Sequence, residues 1–282
     1  MTAEPASRVK IMGVVNVTPD SFSDGGQFVD AERAVAHALE LEADGADVLD
    51  VGGESTRPGA APVDAAAELA RVLPVIERLA GRTQAALSID TRKPAVARAA
   101  IAAGASIWND VSALTFAPDS AAVAADLACD VILMHAQGDP STMQNAPHYD
   151  DVVGEVRAFL AERLAVATSA GVAPSRLMVD PGIGFGKTLE HNLALLAAVG
   201  SFADLAPVLL GASRKRFIAA LDREGPADAR LGGSLAAALA GAREGVAMVR
   251  VHDVAATRQA LAVDSAIRAA ISTAIRGAGN GD

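Results

Sequence analysis

Short apolar segments recur about every 35 residues along this chain, and most of them end on a side chain that hydrogen-bonds or carries charge. In order, the endings are Val14-Val15-Asn16, Val48-Leu49-Asp50, Leu87-Ser88-Ile89-Asp90, Ile107-Trp108-Asn109, Leu133-Met134-His135, Met178-Val179-Asp180, Leu210-Gly211-Ala212-Ser213 and Val249-Arg250-Val251-His252. Stretches such as Asp130 to Met134 and Pro207 to Leu210 are apolar at successive positions, as strands covered on both faces are. Ala-rich stretches with helical spacing lie between them. Ala34, Val35, Ala38, Leu39 and Leu41 predict a helix over Asp30 to Asp44, stopped at Gly45. Leu69, Val72, Leu73 and Ile76 predict another over Asp64 to Leu79, and the same spacing continues near 94–103, 121–127, 151–170, 189–199, 231–242 and 255–275.

Strand–helix units in strict alternation allow a closed (β/α)8 barrel or an open doubly wound sheet. An open sheet gathers its site at one switch point, whereas here polar endings are spread over all the strands. The barrel is therefore expected, with a pocket where the C-terminal strand tips converge. No linker rich in Pro, Ser or Gly divides the chain, so a single domain over 1–282 is expected. Three long polar loops follow strands on the pocket side, over 18–28, 52–62 and 136–149, and suit mobile lids.

Composition narrows the partners. Hydrophobic residues make up 51% of the 282 positions and charged residues 21%, which suits a globular protein with a large core; aromatics at 3% make that core aliphatic. A net charge of -10 excludes nucleic acid as a main partner, because such proteins displace counterions with clustered cations. The lone Cys129 excludes an intramolecular disulfide and reads as an inert core thiol. With no secretory leader apparent and no apolar run near the roughly 20 residues of a membrane span, a cytoplasmic location is expected.

The candidate chemistry lies at the strand tips. Asp180-Pro181-Gly182-Ile183-Gly184-Phe185-Gly186-Lys187-Thr188 is not a phosphate loop, since Pro181 stands where that motif needs glycine. It reads instead as a glycine-rich turn that lets a ligand lie against backbone, with Phe185 as a stacking wall. Ser213-Arg214-Lys215-Arg216 follows a strand and opens a helix, which suits an anion or a solvated basic helix start. Arg250 and His252 project from the same side of one strand and would grip a phosphate, unless Arg250 enters a core-facing ion pair. Asp90, Asn109 and Asp180 together suit a neutral heterocycle presenting N–H donors, Asp180 accepting two parallel bonds. A metal cluster is the rival, although no His-x-x-x-His or carboxylate-rich spacing accompanies the set. His37, His148 and His191 read as surface or capping residues, and Asp50 and His135 carry no assigned role. Covalent acyl chemistry has no support, for there is no Gly-x-Ser-x-Gly elbow and no Cys–His arrangement.

Several of these segments match a known family. Asn16-Val17-Thr18-Pro19-Asp20-Ser21-Phe22-Ser23-Asp24-Gly25-Gly26 and Asp50-Val51-Gly52-Gly53-Glu54-Ser55-Thr56-Arg57-Pro58-Gly59 resemble the long signatures of dihydropteroate synthases. Ser88 to Thr91, Asn109-Asp110-Val111, Met134-His135, Asp180 to Thr188 with His191-Asn192-Leu193, Ser213-Arg214-Lys215 and Arg250 to Asp253 follow in family order. The resemblance implies a (β/α)8 barrel, usually a Mg²⁺-dependent homodimer and a sulfonamide target. Such an enzyme joins 6-hydroxymethyl-7,8-dihydropterin diphosphate to para-aminobenzoate in folate biosynthesis. It further implies that Asp90, Asn109, Met134, Asp180 and Lys215 hold the pterin. Asn16 would bind Mg²⁺ on the diphosphate, with Arg250 and His252 on the anion. Thr56, Arg57, Pro58, Phe185 and Arg216 would border the para-aminobenzoate pocket, beside a lid carrying Phe22 and Asp24. Departures from the family pattern are Arg216 for Ser, Trp108 for an aliphatic residue and Ala136 for Met. Two rivals remain: a pterin-binding methyl-transfer domain, which would need neither Arg250, His252 nor the Thr56-Arg57-Pro58 loop, and a catalytically silent pterin-binding paralogue.

Overall fold

The computed structural model describes residues 8–17, 26–55, 59–138 and 142–278. Strands and helices alternate as the hydrophobic pattern predicts, except that two helices follow β7: β1 (Lys10–Asn16), α1 (Gly26–Ala43), β2 (Val48–Gly52), α2 (Ala65–Leu79), β3 (Ala86–Asp90), α3 (Pro94–Ala102), β4 (Ile107–Asp110), α4 (Ser120–Leu127), β5 (Asp130–Met134), α5 (Val152–Ser169), β6 (Leu177–Asp180), α6 (Leu189–Ala197), β7 (Leu209–Leu210), α7 (Arg216–Leu221), α8 (Leu231–Arg243), β8 (Met248–Val251) and α9 (Val254–Ala278). Several starts are set by local chemistry. The Asp64 carboxylate accepts the Ala67 N–H ahead of α2, and Asp151 does the same for Gly154 ahead of α5. Thr188 and His191 exchange side-chain and backbone bonds in a capping box ahead of α6, so His191 is a capping residue, as its place in the sequence suggests. His37 is half-buried and His148 exposed.

The strands lie parallel in the order β6-β5-β4-β3-β2-β1-β8-β7. A parallel bridge between Val179 and Val208, with the Val179 N–H on Pro207 O at 3.0 Å, joins the two ends of that order. The sheet is a nearly closed (β/α)8 TIM barrel with helices outside. Among the described residues, no helix is long and apolar enough to cross a membrane.

Strand alternation makes two cores. Outward side chains such as Ile11, Leu49, Ile89, Trp108, Leu133 and Val179 pack beneath the helices in one large apolar cluster. Trp108 belongs to that cluster, its Nε1–H donating to Thr91 O at 2.7 Å, so it lines no pocket. Cys129 is buried there too, and burial pushes its thiol above the ordinary range. Inward, Met12, Val48, Ile107, Ile132, Leu209 and Met248 form a buried apolar plug, with Ala86 and Met178 against it. Side chains two positions apart share a strand face. Two residues further along, the eight strands therefore present Val14, Asp50, Ser88, Asn109, Met134, Asp180, Gly211 and Arg250 to the same interior. That second layer is the floor of the site.

Candidate active site

The floor is organised around Arg250. Its Nε donates to Asp50 Oδ2 at 2.6 Å and a terminal nitrogen donates to Asp90 Oδ2 at 2.8 Å. Asn109 Nδ2 adds a bond to the same Asp50 oxygen at 3.1 Å. The core-facing ion pair, the duller of the two readings of Arg250, is thus what the barrel contains. Asp50, left without a role by the sequence, is its fully buried centre. Burial pushes Asp90 up to about 7, against the pull of Arg250 and with added repulsion from Asp50. For Arg250, burial acts to lower the guanidinium, but Asp50 and Asp90 outweigh it and hold it above its ordinary value.

Opposite them, Asp180 ends β6. Its Oδ1 accepts the Gly182 N–H at 2.7 Å, and burial raises its carboxyl while Lys215 opposes the rise. Lys215 caps the start of α7, where burial lowers its ammonium to about 8 against the attraction of Asp180. It donates to Ile183 O, and its Nζ lies 4.5 Å from the centre of the Phe185 ring. The basic triplet splits by function. Arg214 is tied to Asp253, with its Nε 2.9 Å from Oδ2, and Arg216 is exposed at the first position of α7. Only Lys215 faces the acidic floor.

The glycines beside Asp180 answer a packing demand. Gly182 has φ +68° and a Cβ there would stand 1.8 Å from His135 O; Gly186 has φ +63° and would meet Gln137 O at 2.4 Å. Only glycine combines a left-handed backbone with that approach. The turn thus lies against the segment after β5 rather than opening its backbone to a ligand at these two positions.

Of the remaining candidates, Asn16 and His252 lie at the rim and Met134 in the floor layer. Asn16, half-buried, ends β1 beside β8, so it shares one side of the mouth with Arg250 and His252. His252 Nδ1 is 3.1 Å from Ser213 Oγ, which also accepts the His252 N–H at 3.2 Å. Met134 is buried on the wall between Asn109 and Asp180. Phe22, Asp24, Thr56, Arg57 and Pro58 lie outside the described residues. At the base of the second loop, Glu54 accepts from Lys93 Nζ at 2.8 Å and from the Val63 N–H at 3.0 Å, and Lys93 reaches buried Glu68 at 2.6 Å. Sequence reading missed this network; the Glu54, Glu68 and Lys93 side chains come from separate elements, and no local signal joins them.

The Mg²⁺ that the family resemblance implies would rest on one rim residue, Asn16. Among the described residues, no three His, Cys, Asp or Glu side chains are grouped to hold an ion. Asn16 offers a single hard amide oxygen. That fits Mg²⁺, which commonly takes one or two protein oxygens and completes its shell with substrate phosphates and water.

Comparisons with known proteins agree with the barrel fold. The sequence model of the family described as "Pterin binding enzyme" matches residues 12–252. The dihydropteroate synthase of Escherichia coli K12 is 47% identical over 263 residues, 93% of each chain. The chain belongs to the dihydropteroate synthase family. Among solved members, the Xanthomonas albilineans dihydropteroate synthase with 4-aminobenzoic acid is 52% identical, with a TM-score of 0.88 over 94% of both chains. The same organism's enzyme in complex with 7,8-dihydropteroate aligns at 49% identity and a TM-score of 0.85, covering 94% of this chain and 96% of that one. Dihydropteroate synthase is a transferase, and the coverage leaves little of this chain outside the likeness.

Proposed function

We propose that this dihydropteroate synthase carries out pteroate formation on the inward strand layer: 6-hydroxymethyl-7,8-dihydropterin diphosphate and para-aminobenzoate give 7,8-dihydropteroate and diphosphate. The observation that carries the assignment of roles is the convergence of Asp90, Asn109 and Asp180 with Lys215 and Arg250 at one end of the barrel. Carboxylates and an amide face the N–H groups of a neutral ring, and Met134 supplies apolar wall. Asp50 Oδ1 and Ser88 Oγ are buried there without a hydrogen-bond partner among the described residues, and such atoms favour a polar occupant.

An arylamine is already neutral near pH 7 and needs no general base to attack. The hard step is departure of diphosphate from the carbon beside the ring. Arg250 spends two of its five N–H donors on Asp50 and Asp90, leaving others for the leaving group, with His252 alongside. Mg²⁺, held by Asn16 and the diphosphate, would neutralise charge on the departing oxygens. Asp180 and Lys215 hold the ring while cationic character develops at its exocyclic carbon. Phe185 would border the amine, with Arg216 contributing through its backbone; the family resemblance assigns Thr56, Arg57 and Pro58 to the same pocket and Phe22 and Asp24 to its lid.

Ring binding should be greatest between the two titrations. Below about pH 7 Asp90 takes a proton and loses its value as an acceptor; above about pH 8 Lys215 loses the charge that complements Asp180. Affinity for 6-hydroxymethyl-7,8-dihydropterin, measured calorimetrically, is expected to fall on both sides, and Lys215→Met to erase the alkaline fall. A flat profile in the wild-type protein would remove both groups from the ring site.

The activity itself is tested by diphosphate release from the dihydropterin diphosphate, with and without para-aminobenzoate. Release that requires both is the expected result. No release, with pterin still bound, turns the assignment to the silent pterin-binding paralogue. The cytoplasmic homodimer belongs to the same reading: α9 exposes Val263, Ile267 and Ile271 at helical spacing, a face suited to a second subunit. Light scattering that shows a monomer would withdraw the dimer.

A further inference from the structure

Lys187 closes the glycine-rich turn, and neither the ring readers nor the diphosphate ligands use it. It is 3% exposed. Its Nζ donates to Phe185 O at 3.0 Å and lies 3.0 Å from His135 Nδ1, with His135 O at 3.5 Å. None of these partners is a carboxylate. A buried ammonium in that setting is expensive unless its N–H groups are well satisfied, and here the acceptors are the turn and one imidazole. Burial, then the nearby charge of Lys215, lower Lys187 to about 7; burial and Lys187 together hold His135 down to about 3, so the imidazole is neutral and its Nδ1 is free to accept.

The turn is pinned at four successive carbonyls by side chains from different parts of the chain. Lys215 holds Ile183 O, Gln144 Nε2 holds Gly184 O at 2.7 Å, Lys187 holds Phe185 O, and the Tyr149 hydroxyl holds Gly186 O at 3.0 Å. His135 is itself wedged in place: its ring meets Phe159 edge-on at 4.9 Å and lies 6.0 Å from Tyr149. The Phe185 carbonyl is therefore linked through Lys187 to His135 and its aromatic neighbours Phe159 and Tyr149. The Phe185 ring itself faces Lys215.

We propose that Lys187, seated on His135, is a positioning residue for the amine half of the site: by fixing the Phe185 carbonyl it sets the plane in which that ring meets the arylamine. The proposal rests on the reading of Phe185 as a wall of the para-aminobenzoate pocket. Lys187→Met keeps the stem and removes the donors. The freed Phe185 carbonyl should raise the KM for para-aminobenzoate by about tenfold. The kcat should stay within about threefold and dihydropterin affinity by calorimetry within about twofold, because Asp90, Asn109 and Asp180 are not displaced. His135→Leu should reproduce the KM rise, while His135→Asn, which keeps an oxygen acceptor near the Nδ1 position, should stay close to wild type.

An unchanged amine KM in Lys187→Met overturns the proposal. So does a parallel loss of dihydropterin affinity, which would make the lysine a support for the ring or the fold. Equal losses in both histidine variants overturn the pairing with His135. Wild-type protein that forms no product from para-aminobenzoate sinks the functional reading, and this one with it. Wild-type turnover beside an unmoved variant KM sinks only this one.

Discussion

Arg250→Met should cost this protein both stability and activity. The guanidinium forms ion pairs with both Asp50 and Asp90, and Asp50 is fully buried. Removing one partner from a buried ionic group typically costs about 3–5 kcal/mol, because the charges left behind are neither solvated nor paired. The loss should depend on pH in a definite sense. Asp90 stands at about 7 with Arg250 present, against an ordinary 3.8, and goes higher without it. The folded variant then holds a proton that the unfolded chain has released, so its stability rises as pH falls through that range and is lowest above it. Urea denaturation at pH 5.5 and pH 8, read on wild type and variant, measures this. A variant as stable as wild type at pH 8 would mean that the carboxylates find another partner, and the account of the floor would fail.

The second large effect is expected at Asp180. Asp180→Asn keeps the shape and an oxygen for the Gly182 N–H, and removes the charge that faces Lys215 and the ring. The fold should survive, since burial already disfavours the ionised carboxyl in the absence of a ligand. Turnover should not survive: losing a charged, bidentate acceptor of two ring N–H groups is expected to lower kcat/KM for the dihydropterin diphosphate by about 10³-fold. Asp180→Ala should do at least as much. Steady-state kinetics beside a thermal melt separate the two effects. Near-normal kcat/KM in Asp180→Asn would remove the residue from ring recognition.

Much of this was legible beforehand because it is local. Val152–Ser169 and Leu189–Ala197 fall inside the helices read from spacing, and strand endings such as Asp50, Asp90, Asn109 and Asp180 name side chains that do reach the pocket floor. The signatures carried the family. What was not legible has a common cause. Arg250 bonds to Asp50 and Asp90 across 200 and 160 residues of sequence, so no local pattern separates an anion ligand from an ion pair. Glycine codes for positive φ and for close approach alike, and at 182 and 186 the approaching group is the backbone after β5. Likewise Arg214, Lys215 and Arg216 look equivalent as a run, yet one is tied to Asp253, one faces the floor and one is exposed.

The sequence by itself determined the alternation of strands and helices, the parallel barrel and the chemical character of each strand tip, since period and composition are properties of neighbours. The tertiary structure alone decided the partners. Inward alternation placed Asp50, Asn109, Asp180 and Arg250 in a single layer, and strand register together with closure near Val179 and Val208 set which carboxylate meets which cation. Charge in a low-dielectric interior is governed by such distances, and those exist only once the barrel has formed.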